Sequence, residues 1–196
     1  TPDCEAITTF PWTETFEDDS DDRDCWIQIQ ESGTKDWTFA EGAGGGSISS
    51  AKNGSKNARF TSTSGGPFTT KLVTPYLDLE DYENVSLNFW YGQEVWSTDQ
   101  NELKVYYRTS SSDGWEEISH YTGSVSSWSE ITIDVDANLD TFDDYTATFQ
   151  FAFEGIDNYG YANVLDDVNV SGDRINNCQE PTSLSATNQT TSDADL

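Results

Sequence analysis

The chain has 196 residues, with 36 Asp plus Glu against 9 Lys plus Arg and a formal charge of −27. Such a surface argues against nucleic acid, which needs a basic face, and against anionic membranes. Low hydrophobicity with high charge can mean disorder, but 13% of the residues are aromatic and they sit in alternating patterns, so a folded β domain with an acidic shell is expected.

Taken in chain order, weaker strands are predicted at 13–18, 36–40, 58–62 and 71–77. Stronger ones follow. In 84–92, Val85, Leu87, Phe89 and Tyr91 alternate with Ser86, Asn88 and Trp90. In 102–109, Leu103, Val105 and Tyr107 share a face. Segment 129–136 places Ile131, Ile133 and Val135 together, and 146–154 does the same for Ala147, Phe149, Phe151 and Phe153. In 164–170 the rule groups Val164, Asp166, Val168 and Val170. Period two over five or more residues marks a half-buried strand. Loop signals stand at 42–47, 53–55, 64–67, 110–114 and 157–160, and no segment has a helical period. Nine strands in turn-rich succession imply an all-β antiparallel sandwich.

Composition changes at Gly172, which divides a domain at 1–175 from a polar tail at 176–196. No run of about 18 apolar residues forms a membrane span. With neither a signal peptide nor any methionine, a mature or excised fragment is expected. The cysteines Cys4, Cys25 and Cys178 are odd in number and lack metal-site spacing. In an extracellular setting one disulfide is expected, and Cys4 and Cys25, which flank the first strand, are the chosen pair. Cys178 would pair outside the fragment.

Several pieces stand in order: PWTETFEDD at 11–19, CW at 25–26, DW at 36–37, KLVTPYLDL at 71–79, VSLNFWYG at 85–92 and VLDDVNV at 164–170. Together they resemble the MAM-like and cleaved-adhesin jelly-rolls of secreted multidomain bacterial proteins. The four-cysteine pattern of animal MAM domains is absent. The tail sequence PTSLSATNQTTSDADL resembles the opening of a fibronectin type III domain. The resemblance implies jelly-roll topology, a non-catalytic role in adhesion or substrate binding, and tethering to neighbouring domains. It also implies a structural calcium ion where the first strand runs beside the last.

The residues supply candidates for that ion. Alternation places Asp166 on a core face, where a lone carboxylate is costly unless paired or bound to a cation. Glu17 and Asp19 share a face of the first strand and converge where it bends. Asp36, beside Trp37, is a fourth candidate. Calcium takes 6–8 oxygen ligands, which suits this set. Asp21, Asp22 and Asp24 read as solvated surface, offset by Arg23. The run DDSDDRD is not an EF-hand loop, and one histidine with scattered cysteines disfavours zinc.

Nothing marks a catalytic site. His120 is the only histidine and has no nucleophile motif beside it. Glu94, Asp99 and Glu102 could be nominated as a glycosidase pair only on their abundance. GAGGGS at 42–47 lacks the Lys-Ser/Thr of a phosphate loop. The aromatics are more informative. Trp26, Trp37 and Trp90 read as core or sheet-packing residues. Trp96, Trp115, Trp128, Tyr159 and Tyr161 lie in or beside loops, where rings can stack on sugar faces. The expectation is an accessory module of a secreted protein that binds a polysaccharide or glycoprotein. The alternative is a structural spacer or protein–protein adhesion domain. The overall charge disfavours strongly sulfated or uronic polysaccharides, unless cations bridge them.

Overall fold

The computed structural model describes residues 4–61, 65–139 and 145–175. The tail at 176–196, with Cys178 and the fibronectin-like stretch, lies outside the described residues. Eleven strands are present among those described: β1 Trp12–Glu14, β2 Ile27–Ser32, β3 Thr38–Ala40, β4 Asn57–Phe60, β5 Phe68–Val73, β6 Tyr82–Gln93, β7 Glu102–Arg108, β8 Glu116–Tyr121, β9 Val125–Asp134, β10 Gln150–Asp157 and β11 Asn163–Arg174. Two short 3-10 turns, Arg23–Cys25 and Asp136–Asn138, complete the regular structure.

The strands form two antiparallel sheets. One has the order β3-β4-β11-β6-β9 with β1 also paired to β11, and the other has the order β2-β5-β10-β7-β8. From β4 onward the chain passes repeatedly between sheets, so that β4-β11-β6-β9 faces β5-β10-β7-β8. This nesting is the jelly-roll the sequence pattern and the resemblance lead to. The alternation of β6 works as expected, and Val85, Leu87 and Phe89 are wholly buried. Phe153 of β10 meets Phe89 across the sandwich, with ring centroids 5.1 Å apart.

The central strands depart from simple alternation. β10 lies between β5 and β7 and is buried on both faces, including Gln150, Ala152 and Glu154. Ala147, expected inside, is exposed because regular pairing starts only at Gln150. Strands β2 and β8 are absent from the sequence prediction. Both are edge strands with mostly exposed or half-buried residues, so neither carries an apolar stripe. Segment 13–18 is extended only through Glu14. Phe16 has φ 57 and turns the chain, so the expected shared face of Glu17 and Asp19 does not exist.

The largest correction concerns β11. Val164 and Leu165 pair with β4 and β6, but the register with β6 shifts between Asp166 and Asn169. Asp167 has φ 47, a conformation that aspartate tolerates better than most residues. The bulge reverses the phase of the strand. Leu165, Val168 and Val170 face the main core, whereas Val164 faces outward and packs with Ala43, Ile48 and Ala162. Asp166 therefore does not share a face with Val168 and Val170. It is buried on the outer side, beneath the segment that joins β3 to β4.

Cys4 and Cys25 form a disulfide with Cα atoms 5.6 Å apart, which ties the N-terminal segment to the turn before β2. Inside the sandwich, Gly155 of β10 lies against aromatic rings. A Cβ there would come within 2.5 Å of Phe60 and 3.0 Å of Trp37. Trp37 cannot retreat easily, because its indole donates to the Thr70 carbonyl at 2.9 Å. Gly155→Ala should therefore overpack the core and cost about 1–3 kcal/mol. A thermal melt should show a midpoint lowered by roughly 3–10 °C.

Candidate functional site

Three loops meet at one end of the outer face of the β3-β4-β11-β6-β9 sheet. They enclose a cavity of about 580 Å³. Its lining comes from Ala43, Gly44 and Gly45 after β3, Arg59 and Thr61 at the end of β4, Trp96 after β6, and Tyr159 to Ala162 before β11. Trp96 is 52% exposed and Tyr159 is 43% exposed, unusual for rings this large. Thus three of the five predicted ligand-binding aromatics, Trp96, Tyr159 and Tyr161, come together.

The other two lie elsewhere. Trp115 sits in a separate, polar depression and stacks on Arg108, whose guanidinium carbon is 4.4 Å from the ring. Trp128 covers Ala43, Ile48 and Val164, and its indole donates to the Ser50 carbonyl at 3.0 Å. Trp90, placed on the outer face by alternation, packs under the Lys52 ammonium at 4.1 Å. Trp26 and Trp37 are core residues as expected.

The glycine run shapes one wall. A Cβ at Gly45 would lie 3.1 Å from the Tyr161 ring, and one at Gly46 would meet both Glu94 and that ring. The run is therefore glycine-rich for close approach to a side chain, not to a phosphate. Glu94 holds the loop by accepting from the Ser47 amide and hydroxyl. The opposite wall depends on Asn101, which sequence reasoning passed over. Its buried side-chain oxygen accepts from the Asn158 amide at 2.8 Å and the Gly160 amide at 2.9 Å. Its amide group donates to the Tyr161 carbonyl at 2.9 Å. One side chain thus fixes the loop that carries both tyrosines. Tyr159 has φ 67, and its hydroxyl donates to the Gly66 carbonyl.

The metal candidates are distributed differently from the expectation. Among the described residues, no three His, Cys, Asp or Glu side chains are positioned to hold a metal ion. Asp36 accepts from Gln30 at 2.7 Å, and Asp19 is exposed. Glu17 and Asp166, however, grip the two ends of the same short segment. Asp166 accepts from the Lys52 amide at 2.9 Å, the Asn53 amide at 3.3 Å and the Asp167 amide at 2.8 Å. Glu17 accepts from the Ser55 amide, the Ser55 hydroxyl and the Lys56 amide, each at 2.7 Å. Burial pushes the Asp166 carboxyl up to about 7, against those amide donors. Burial acts the same way on Glu17, but the Ser55 and Lys56 donors prevail and hold it below its usual range.

The acidic run around them is less uniform than it reads. Asp22 accepts from the Trp12 indole at 2.8 Å, so it is structural and not merely solvated. Arg23 bridges Asp18 at 2.9 Å and the Phe16 carbonyl at 3.1 Å. Glu14, also unnoticed in the sequence, is wholly buried and accepts from the Phe16 amide at 2.6 Å and the Trp26 indole at 3.2 Å. Two of the carboxylates nominated for hydrolysis have other partners. Glu94 serves Ser47, while Glu102 meets His120 at 2.6 Å.

The chain resembles the K1 cleaved adhesin domain of Lys-gingipain from Porphyromonas gingivalis W83, with a TM-score of 0.62 and 19% identity over 84% of this chain and 99% of that one. The K3 domain of the same protein gives 0.61 and 18%, over 82% and 97%. The fold is that of the cleaved-adhesin domains. A xylan-binding domain of carbohydrate-binding module family 22 follows at 0.50 and 11% identity, over 87% of this chain and 97% of that one. No protein-family model matches the sequence, and no curated protein matches it significantly. No helix among the described residues is long and apolar enough to cross a membrane.

Burial pushes the Glu14 carboxyl up, despite hydrogen bonds from Ser20, Phe16 and Trp26. The folded state then holds this proton more tightly than the unfolded one. Its contribution to stability is full below the unfolded value and is lost as pH rises through the folded one. A glutamine in its place carries no such ionisation cost. Melting curves taken upward from pH 4 should show Glu14→Gln gaining on the wild type as pH rises through the folded Glu14 value, and keeping that lead above it. A constant difference across that range would mean that Glu14 titrates normally.

Proposed function

We propose that this chain is a non-catalytic accessory module of a secreted protein, which binds a glycan or glycosylated surface through the pocket between Trp96, Tyr159 and Tyr161. The carrying observation is that three aromatic rings from two loops converge on one preformed cavity, two of them about half exposed. Such rings offer large apolar faces at little entropic cost, and polar backbone around them can meet hydroxyls. The similarity to a xylan-binding domain, and at a TM-score of 0.50 to a module solved with β-1,4-galactotriose, supports the carbohydrate reading. Affinity electrophoresis in gels of neutral polysaccharides tests it. A retarded wild type and a Trp96→Ala variant weakened about tenfold, or roughly 1.4 kcal/mol, are expected. A protein retained by no polysaccharide at all would favour the spacer or protein–protein adhesion reading.

We further propose that a calcium ion stabilises the junction of β1, β4 and β11. The residues fit it in part. Glu17 and Asp166 each accept three hydrogen bonds, and a carboxylate has about four acceptor directions, so each keeps one for a cation. Asp166 is a buried carboxyl whose charge a cation would relieve. Carbonyls and water would supply the remaining oxygens. If calcium at a hundred times its dissociation constant binds only the native state, it adds about 2.7 kcal/mol. Melting with calcium should therefore exceed melting with a chelator by roughly 5–10 °C at matched ionic strength. Asp166→Asn should abolish the difference, and equal midpoints in the wild type would refute the site.

A further inference from the structure

The pocket contains one group that the neutral-sugar reading leaves unused. Arg59 lies in β4, opposite Val164, and lines the cavity. In a chain with 36 acids and 9 Lys plus Arg, any cation has acids to choose from. Arg23, Lys56, Lys71, Lys104 and Arg174 all form ion pairs. Arg108 is held by Gln150 and stacks on Trp115. Among the described residues the Arg59 guanidinium has neither an ion pair nor a hydrogen bond, and its Nε is buried without a partner.

A buried donor without an acceptor costs free energy, and arginine cannot escape that cost by losing its proton. Glu94, which borders the glycine run, does not serve it, being turned to Ser47. The backbone of Gly44 instead packs on the guanidinium, where a Cβ would come within 2.6 Å of Nη1. The planar fork of arginine matches a carboxylate in two parallel hydrogen bonds. Beside it stand the rings suited to a sugar face.

We propose that the pocket selects an acidic sugar, with the pyranose ring on the aromatic side chains and its carboxylate on Arg59. This rests on the glycan reading and narrows it to uronate-type ligands. The net charge of −27 points the other way only at long range. At physiological ionic strength, repulsion between exposed charges is screened beyond about 8 Å, so the group in contact decides.

The test is calorimetric titration of the full chain with paired oligosaccharides of xylan, galactan and glucan type. One member of each pair carries a glucuronate, and the other carries the same residue with its carboxyl reduced to the alcohol. For at least one pair the acidic member should bind about tenfold tighter or more. Arg59→Gln should remove that preference, so that the two members bind alike, and Arg59→Lys should keep part of it. Trp96→Ala should weaken both members. Because the Arg59 guanidinium makes no hydrogen bond or ion pair that glutamine loses, the melting midpoint of Arg59→Gln should stay close to that of the wild type. Equal binding of both members, or an equal loss for both in Arg59→Gln, would overturn the acidic-sugar proposal and leave the glycan reading standing. Binding of no oligosaccharide would remove the glycan reading itself, and this proposal with it.

Discussion

β11 has to serve two strands along one edge, and most of the outer architecture follows from how it does so. Residues 163–165 pair with β4, and residues 168–170 pair with β1. Between them the chain spends extra length at Asp166 and Asp167, which reverses the face presented by each later side chain. The gap between β1 and β4 would expose amides of the 52–56 segment beside an apolar sheet. Asp166 meets them from one side and Glu17 from the other. Neutral side chains could make some of these bonds. Two carboxylates accept five from this segment, and such bonds are of the stronger kind when the acceptor is ionised.

That anchoring has consequences some distance away. With segment 52–56 fixed, the connection from β3 lies across the sheet and covers Val164 with Ala43 and Ile48. Ile48 can approach because Gly92 has no Cβ to meet it, and such an atom would be 2.2 Å away. The glycine run then reaches Tyr161 and Arg59, closing one side of the pocket. The aromatic cavity is thus the far end of a cover pinned at the bulge. The acids of this chain are placed, not merely abundant. On the outer face of the other sheet, Lys71 joins Glu31 and Glu154, and Lys104 joins Glu117.

The long strands were legible in the sequence because their core-facing residues alternate without interruption, as Val85 to Tyr91 do. The edge strands β2 and β8 were not, because an edge strand with little buried surface carries no apolar period. Asp166 was singled out correctly as an anomaly among valines, yet given the wrong face. A bulge is invisible to a rule that counts by twos. The pocket aromatics stood out as large rings in polar loops, whereas Asn101 and Arg59 carried no signal. Each is an ordinary residue type whose role depends on which strands lie next to it, and that pairing is set by contacts remote in sequence.

The pocket is also held rigidly, which bears on how it can discriminate. Asn101 binds the 158–161 loop at three backbone positions, and a Cβ at Gly160 would come within 2.8 Å of the Asn101 amide nitrogen. Tyr159 and Ser97 keep positive φ, a conformation that costs a non-glycine residue of order 1 kcal/mol and persists only when its surroundings impose it. A ligand entering such a site orders little that is not already ordered, so less of its contact energy is lost on binding. Selectivity then rests on the side chains that point inward, two half-exposed rings and one guanidinium. In a pocket free to rearrange, an unpaired arginine would swing to one of 36 carboxylates. Strand β4 and the glycine run that packs on it leave Arg59 facing the cavity instead.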